Sequence, residues 1–170
     1  MPHYKSLGQI PPKRHTQFRR PDGELYAEEL FSTEGFSNSY SLLYHHYPPT
    51  AIIKVDKPTT LKPELAGDME MLHRSFKSFD VAPEDDFLDS RVILLTNSDV
   101  QICMAKPRKN MKDYFYKNGD SDEVIFVHHG SGTCRTNYGQ LKFKYGDYIV
   151  IPRGVIYQME FDSEDNKLLI

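Results

Sequence analysis

Tyr145-Gly146-Asp147-Tyr148-Ile149-Val150-Ile151-Pro152-Arg153-Gly154-Val155-Ile156-Tyr157 is the stretch whose reading decides the fold. Gly146-Asp147 starts a strand after a turn, and Pro152-Arg153-Gly154 bends the chain between one strand at Tyr148–Ile151 and the next at Tyr157–Phe161. In the second strand Tyr157, Met159 and Phe161 alternate with Gln158 and Glu160; upstream, Leu141, Phe143 and Tyr145 alternate with Lys142 and Lys144. Side chains on a strand point to opposite faces in turn, so both patterns predict antiparallel strands with one apolar and one wet face. Further upstream lies the run Asp122-Glu123-Val124-Ile125-Phe126-Val127-His128-His129-Gly130, followed by Gly130-Ser131-Gly132, which is expected to turn a hairpin.

The same punctuation extends outward. Eleven prolines and ten glycines are spread along the chain and bracket short runs rich in valine, isoleucine, tyrosine and phenylalanine. These runs predict strands at Ser41–Tyr47, Ala51–Val55, Arg91–Thr96, Val100–Lys106, Asp113–Tyr116, Glu123–His128, Thr133–Asn137, Leu141–Tyr145, Tyr148–Ile151, Tyr157–Phe161 and Lys167–Ile170, and the ambiguous Met69 to Phe79 segment is read as strand. Such spacing predicts an all-β sandwich or barrel over 40–170. Residues 1–39 read as an amino-terminal arm with a turn at Pro21–Gly23 and one helical turn, Leu25 to Phe31.

At 170 residues the chain is one domain's length, and 39% apolar content suffices for a core. Its formal charge of −3 provides no basic excess to hold nucleic acid. No apolar run reaches the roughly 18–20 residues of a membrane span and no signal-peptide centre is visible, so the expected location is cytoplasmic, without a membrane partner. Cys103 and Cys134 lie in apolar-alternating runs and read as reduced core residues.

Glu123 with Gly130, and Gly146 with Pro152 and Gly154, resemble the two sequence motifs of the cupin jelly roll. That resemblance implies a jelly-roll-like barrel of antiparallel strands. In cupins the first motif carries His-x-His ahead of the glutamate, and the second ends in histidine. Here Tyr116 and Asn118, or Lys117 and Gly119 with the shorter spacing, stand at the first pair, and Tyr157 at the last. A metal site needs imidazoles on one strand face, so these departures argue against metal binding, and Tyr116 and Tyr157 are expected to fill the barrel interior.

A closer resemblance rests on Met1-Pro2-His3-Tyr4, Lys13-Arg14-His15-Thr16-Gln17-Phe18-Arg19, Leu25-Tyr26-Ala27-Glu28-Glu29-Leu30, Ser41-Leu42-Leu43-Tyr44-His45, Asp113-Tyr114-Phe115-Tyr116-Lys117-Asn118-Gly119-Asp120 and Tyr145 to Tyr157. Together they resemble the amino-terminal part of the homogentisate 1,2-dioxygenase family. The resemblance implies a parent enzyme that uses dioxygen to cleave the ring of homogentisate to maleylacetoacetate, in tyrosine and phenylalanine breakdown. Its Fe(II), held by two histidines and a glutamate, belongs to the carboxy-terminal half. The apolar ending Lys167-Leu168-Leu169-Ile170 is read as a strand begun and cut, so a fragment without the iron site is expected. No catalytic, cofactor-binding or metal residue is carried over, no cofactor is expected in this chain, and a homo-oligomer is expected.

Other groupings have ordinary explanations. His45-His46 and His128-His129 are adjacent pairs whose members point to opposite strand faces and cannot chelate one ion. Glu123 is expected to bond a turn or an arginine such as Arg153 or Arg135. Lys106, Arg108 and Lys109, and Arg19-Arg20, read as solvated loops, and the eleven tyrosines as sheet cover and subunit contacts. Two further readings stand beside the dioxygenase half. One is a self-standing non-metal cupin that binds a small ligand or oligomerises. The other is an active cupin in which Glu123 and Tyr157 converge with His45 or His129.

Overall fold

The structure, a computed structural model, describes residues 17–58, 63, 65, 67, 70, 72–75, 77–80 and 85–170. The chain divides into two units, Met1–Pro58 and Thr59–Ile170. Residues 1–16 of the expected arm, and Met69 and Phe76 of the ambiguous segment, lie outside the described residues.

In the first unit, strands β1 (Ala27–Glu34) and β2 (Ser37–His45) form an antiparallel hairpin with a bulge between Ser32 and Glu34. The helical turn expected at Leu25 to Phe31 is therefore replaced by strand. Ala27-Glu28-Glu29-Leu30 contains helix formers, but the partner strand supplies ladder bonds along its whole length and outweighs local propensity. The predicted turn at Pro21–Gly23 is present, with Gly23 at φ +88° donating its N–H to the Arg20 carbonyl at 2.9 Å. Ala51–Val55 forms no strand.

Among the described residues the second unit has nine strands: β3 (Val92–Thr96), β4 (Gln101–Ala105), β5 (Tyr116–Lys117), β6 (Glu123–His129), β7 (Ser131–Thr136), β8 (Gly139–Lys144), β9 (Tyr148–Ile151), β10 (Ile156–Phe161) and β11 (Lys167–Leu169). They build two antiparallel sheets, ordered β3-β4-β11-β6-β9 and β5-β10-β7-β8. From β4 onward the chain passes repeatedly between the sheets, which is a jelly roll. The described part of the Met69 to Phe79 segment is not strand; a single 3₁₀ turn covers Ser78–Asp80.

At two of the points where the chain changes sheet, glycine and proline provide the bend. Gly130, at φ +102°, lies between β6 in one sheet and β7 in the other, so the expected Gly130–Gly132 hairpin is instead a corner. Pro152-Arg153-Gly154 does the same between β9 and β10.

The core fills the space between the sheets. Ala105, Ile125, Val127, Ile149, Ile151 and Leu168 face Cys134, Phe143, Tyr157, Met159 and Phe161, with Phe87 and Met111 added from loops. Both cysteines are free and buried. On β10 Tyr157, Met159 and Phe161 all point inward as their alternation predicts; Gln158 is buried too, its amide donating to the Tyr114 carbonyl at 2.9 Å. On β8 only Phe143 is buried. Leu141 on the same face, and Tyr145 just beyond the strand, are exposed, and β8 is the edge of its sheet. Among the described residues no helix is long and apolar enough to cross a membrane.

Candidate functional site

Glu123 opens β6, opposite Ile151, and is buried. A buried carboxylate is costly unless paired and hydrogen-bonded. Here both oxygens are engaged: Oε1 accepts from Arg91 Nη1 at 2.5 Å and from Asn118 Nδ2 at 3.2 Å, and Oε2 accepts from the Tyr157 hydroxyl at 2.5 Å. Arg91 Nη2 in turn donates to the Tyr157 oxygen at 2.7 Å, closing a ring of three side chains. Tyr157 is opposite Tyr116 in the β5–β10 ladder, and their rings meet edge to face with centroids 5.5 Å apart.

Each member is set by its local structure. Asp86 caps a turn by accepting the N–H groups of Leu88 and Asp89, the Ser90 and Arg91 N–H groups bond back to the Asp86 and Leu88 carbonyls, and the turn delivers Arg91 at the start of β3. The Arg91 guanidinium stacks over the buried Phe87 ring at 4.4 Å and lies 5.4 Å from the Tyr116 ring. Asn118 is fixed by an Asx turn, its Oδ1 accepting the N–H groups of Asp120 and Ser121.

The electrostatics favour one protonation pattern. Burial pushes the Tyr157 phenol far up, Arg91 pulls it back in part, and Glu123 pushes it further, so Tyr157 stays a neutral donor. Tyr116 is raised by burial and then by Glu123. Burial works against the Arg91 cation, but Tyr157 and Glu123 together outweigh it and the group titrates above its ordinary value. The arrangement is a closed ion pair with a neutral phenol. It positions no nucleophile and leaves no basic group free.

Tyr116 and Tyr157 thus line the barrel interior as expected, and Glu123 finds an arginine, but it is Arg91. Arg135 pairs with Glu160 at 3.1 Å, and the Arg153 backbone N–H donates to Asp122 at 2.8 Å. A carboxylate at a buried strand start demands a cation, but nothing beside Arg91 in the sequence marks it, among the arginines, as the one that supplies it.

The histidines have other partners. His45 bonds Glu29 at 2.8 Å within the hairpin, and His46 packs edge-on against Tyr26. His128 stacks on Phe79 with centroids 4.5 Å apart. His129 pairs with Asp165 at 3.4 Å and lies six residues along β6 from Glu123, about 20 Å away, so it does not join Glu123 and Tyr157. Among the described residues no three His, Cys, Asp or Glu side chains are grouped to hold a metal. The positions matching the cupin ligands do not fit iron either: they bring two phenols, a carboxamide and a carboxylate already bound to a guanidinium.

The basic clusters are structural or solvated. Lys106 donates to the Phe79 carbonyl and Lys109 to Asp85, while Arg108 lines an open surface depression of about 310 Å³ with Glu164 and Asp165. Arg19 and Arg20 clamp the Pro21–Gly23 turn, through the Gly23 carbonyl and the Asp22 carboxylate.

The family described as "Homogentisate 1,2-dioxygenase N-terminal" matches residues 5–170. A protein of Saccharolobus solfataricus described as "Putative dioxygenase" is 35% identical over 170 residues, all of this chain and 44% of the relative. The chain therefore spans less than half the length of that curated relative. Among solved structures, a cupin-2 domain containing protein from Shewanella frigidimarina shows 21% identity over 54% of this chain and 83% of its own, with a TM-score of 0.45. A protein from Neisseria meningitidis shows 17% identity over 56% and 96%, with a TM-score of 0.43. The strand order, not these two likenesses, carries the fold.

Proposed function

The chain belongs to the family of homogentisate 1,2-dioxygenase N-terminal domains, and from that premise we propose that it is the amino-terminal barrel of an iron(II)-dependent enzyme that opens the ring of homogentisate with dioxygen to give maleylacetoacetate, a step of tyrosine and phenylalanine catabolism. In this reading the barrel is structural. It supports a cytoplasmic homo-oligomer and walls an active site whose iron and catalytic residues belong to the rest of the protein.

The observation that carries the reading is a combination of coverage and chemistry. The family match runs almost the whole length of the chain, the chain matches under half of a dioxygenase-named relative, and the barrel interior holds a closed Arg91–Glu123–Tyr157 ring. Redox chemistry on a chelating phenol needs open metal positions, which that ring does not offer.

The test compares the 170-residue chain with the longer polypeptide that carries it, measuring ferrous-ion binding and oxygen uptake on homogentisate. Iron binding and uptake by the longer protein alone supports the reading. Uptake by the short chain overturns the structural role, and no uptake by the longer protein overturns the substrate.

A further inference from the structure

We propose that the Arg91 guanidinium is the built-in cation of this barrel: it takes the place of a metal ion among side chains at the cupin ligand positions, and a free cation of matching shape will occupy that place when the side chain is removed. Four groups converge there from separate parts of the chain: the Tyr116 ring on β5, the Asn118 amide just after it, the Glu123 carboxylate on β6 and the Tyr157 hydroxyl on β10. Each of these positions matches a ligand position of the two sequence motifs. Three of the four bond to Arg91 or to its carboxylate partner, and the fourth lays its ring 5.4 Å from the guanidinium carbon.

The cation itself comes from outside both motifs. Arg91 precedes Glu123 by 32 residues and Tyr157 by 66, and enters from the start of β3. Its side chain is 10% exposed, and its Nε, also buried, has no hydrogen-bond partner in the structure. Charge at that point, rather than complete donor satisfaction, is what the surroundings supply: a carboxylate, a phenol oxygen and the faces of Phe87 and Tyr116. One monovalent cation neutralises the single carboxylate. A second cation beside it would meet like charge in a low-dielectric interior, so guanidinium and metal exclude each other.

Two experiments test this on the chain itself, and neither depends on oxygenase activity. In the first, Arg91→Ala is unfolded thermally with low-millimolar guanidinium chloride or with sodium chloride at equal ionic strength. The expected result is a melting temperature below wild type that guanidinium raises by several degrees and sodium does not, with wild type unmoved. Equal responses to the two salts would overturn the proposal.

In the second, Tyr116→His, Asn118→His and Tyr157→His are combined, with Arg91 kept or changed to alanine, and Ni(II) is titrated calorimetrically while circular dichroism follows folding. Without Arg91, Ni(II) is expected to bind tighter by on the order of tenfold or more. Should the alanine form not fold, the arginine-retaining form still decides: Ni(II) binding above the wild-type background there refutes the exclusion, and background-level binding upholds it. Equal affinity in two folded forms refutes it as well.

Discussion

The Arg91 guanidinium and the Glu123 carboxylate meet at 2.5 Å from positions 32 residues apart, with side chains only 10% and 4% exposed. In a buried pair each charge is tolerable because the other is present. Removing one partner leaves the other uncompensated, at a cost of about 3–5 kcal/mol, whereas removing both costs much less. Arg91→Met and Glu123→Gln should each lower the free energy of urea unfolding by that amount. The double variant should lose clearly less than the sum. Strict additivity in the cycle would mean that the pair is not coupled.

Tyr157→Phe isolates the hydroxyl from the ring. The variant keeps the aromatic contacts to Phe87 and Tyr116 but leaves Glu123 Oε2 and Arg91 Nη2 each short of a partner. A loss of about 1.5–3 kcal/mol is expected by denaturant unfolding, with the strand content unchanged. A loss near zero would mean that water replaces the hydroxyl.

These three residues differ in how openly the sequence announced them. Glu123 and Tyr157 stand at positions of the two cupin motifs that the sequence resembles, so that resemblance already pointed to their place in the barrel. Arg91 was not legible, because nothing near it distinguishes a strand-opening arginine that points inward from one that points to water. The corner at Gly130 was misread for a similar reason: Gly130-Ser131-Gly132 bends the chain either way, and only the pairing of β6 with β9 and β11, and of β7 with β8 and β10, excludes the hairpin. Leu141 and Phe143 show identical alternation, yet one is 55% exposed and the other 4%, since alternation reports the face of a strand and not how far the opposite sheet extends over it.

Gly132 and Gly119 provide a paired steric test. A methyl group at Gly132 would overlap the Glu160 carbonyl oxygen on the neighbouring strand and come within 2.8 Å of the Phe143 ring, while at Gly119 it would meet nothing within 4 Å. Gly132→Ala should destabilise by about 2 kcal/mol or more because backbone cannot move aside, and Gly119→Ala should stay within about 0.5 kcal/mol of wild type. Thermal melts of the two variants compare them directly.

The buried thiols and phenols imply alkaline sensitivity. Burial first, and Glu123 second, push Cys134 from its ordinary 9.0 up to about 11, so above pH 9 the unfolded chain releases a proton that the folded chain retains. The folded state then binds more protons than the unfolded one. Stability from this group is complete below pH 9 and falls by about 1.4 kcal/mol per pH unit until pH is near 11. The raised phenols of Tyr116 and Tyr157 extend the fall to higher pH. Melting temperatures between pH 7 and pH 11 should decline from about pH 9, and Cys134→Ala should decline less steeply.

The position of β11 has a consequence for the order in which the molecule can be assembled. This three-residue strand, Lys167–Leu169, lies in the middle of its sheet, between β4 and β6, although it is the last strand in the sequence. During synthesis β4 and β6 emerge first and have no bond to each other in the finished sheet. Each presents an open edge until residues 167–169 arrive to bridge them. The five-stranded sheet therefore closes late, by a long-range event at high entropic cost, and a nascent chain halted before Lys167 would display two sticky edges to its neighbours.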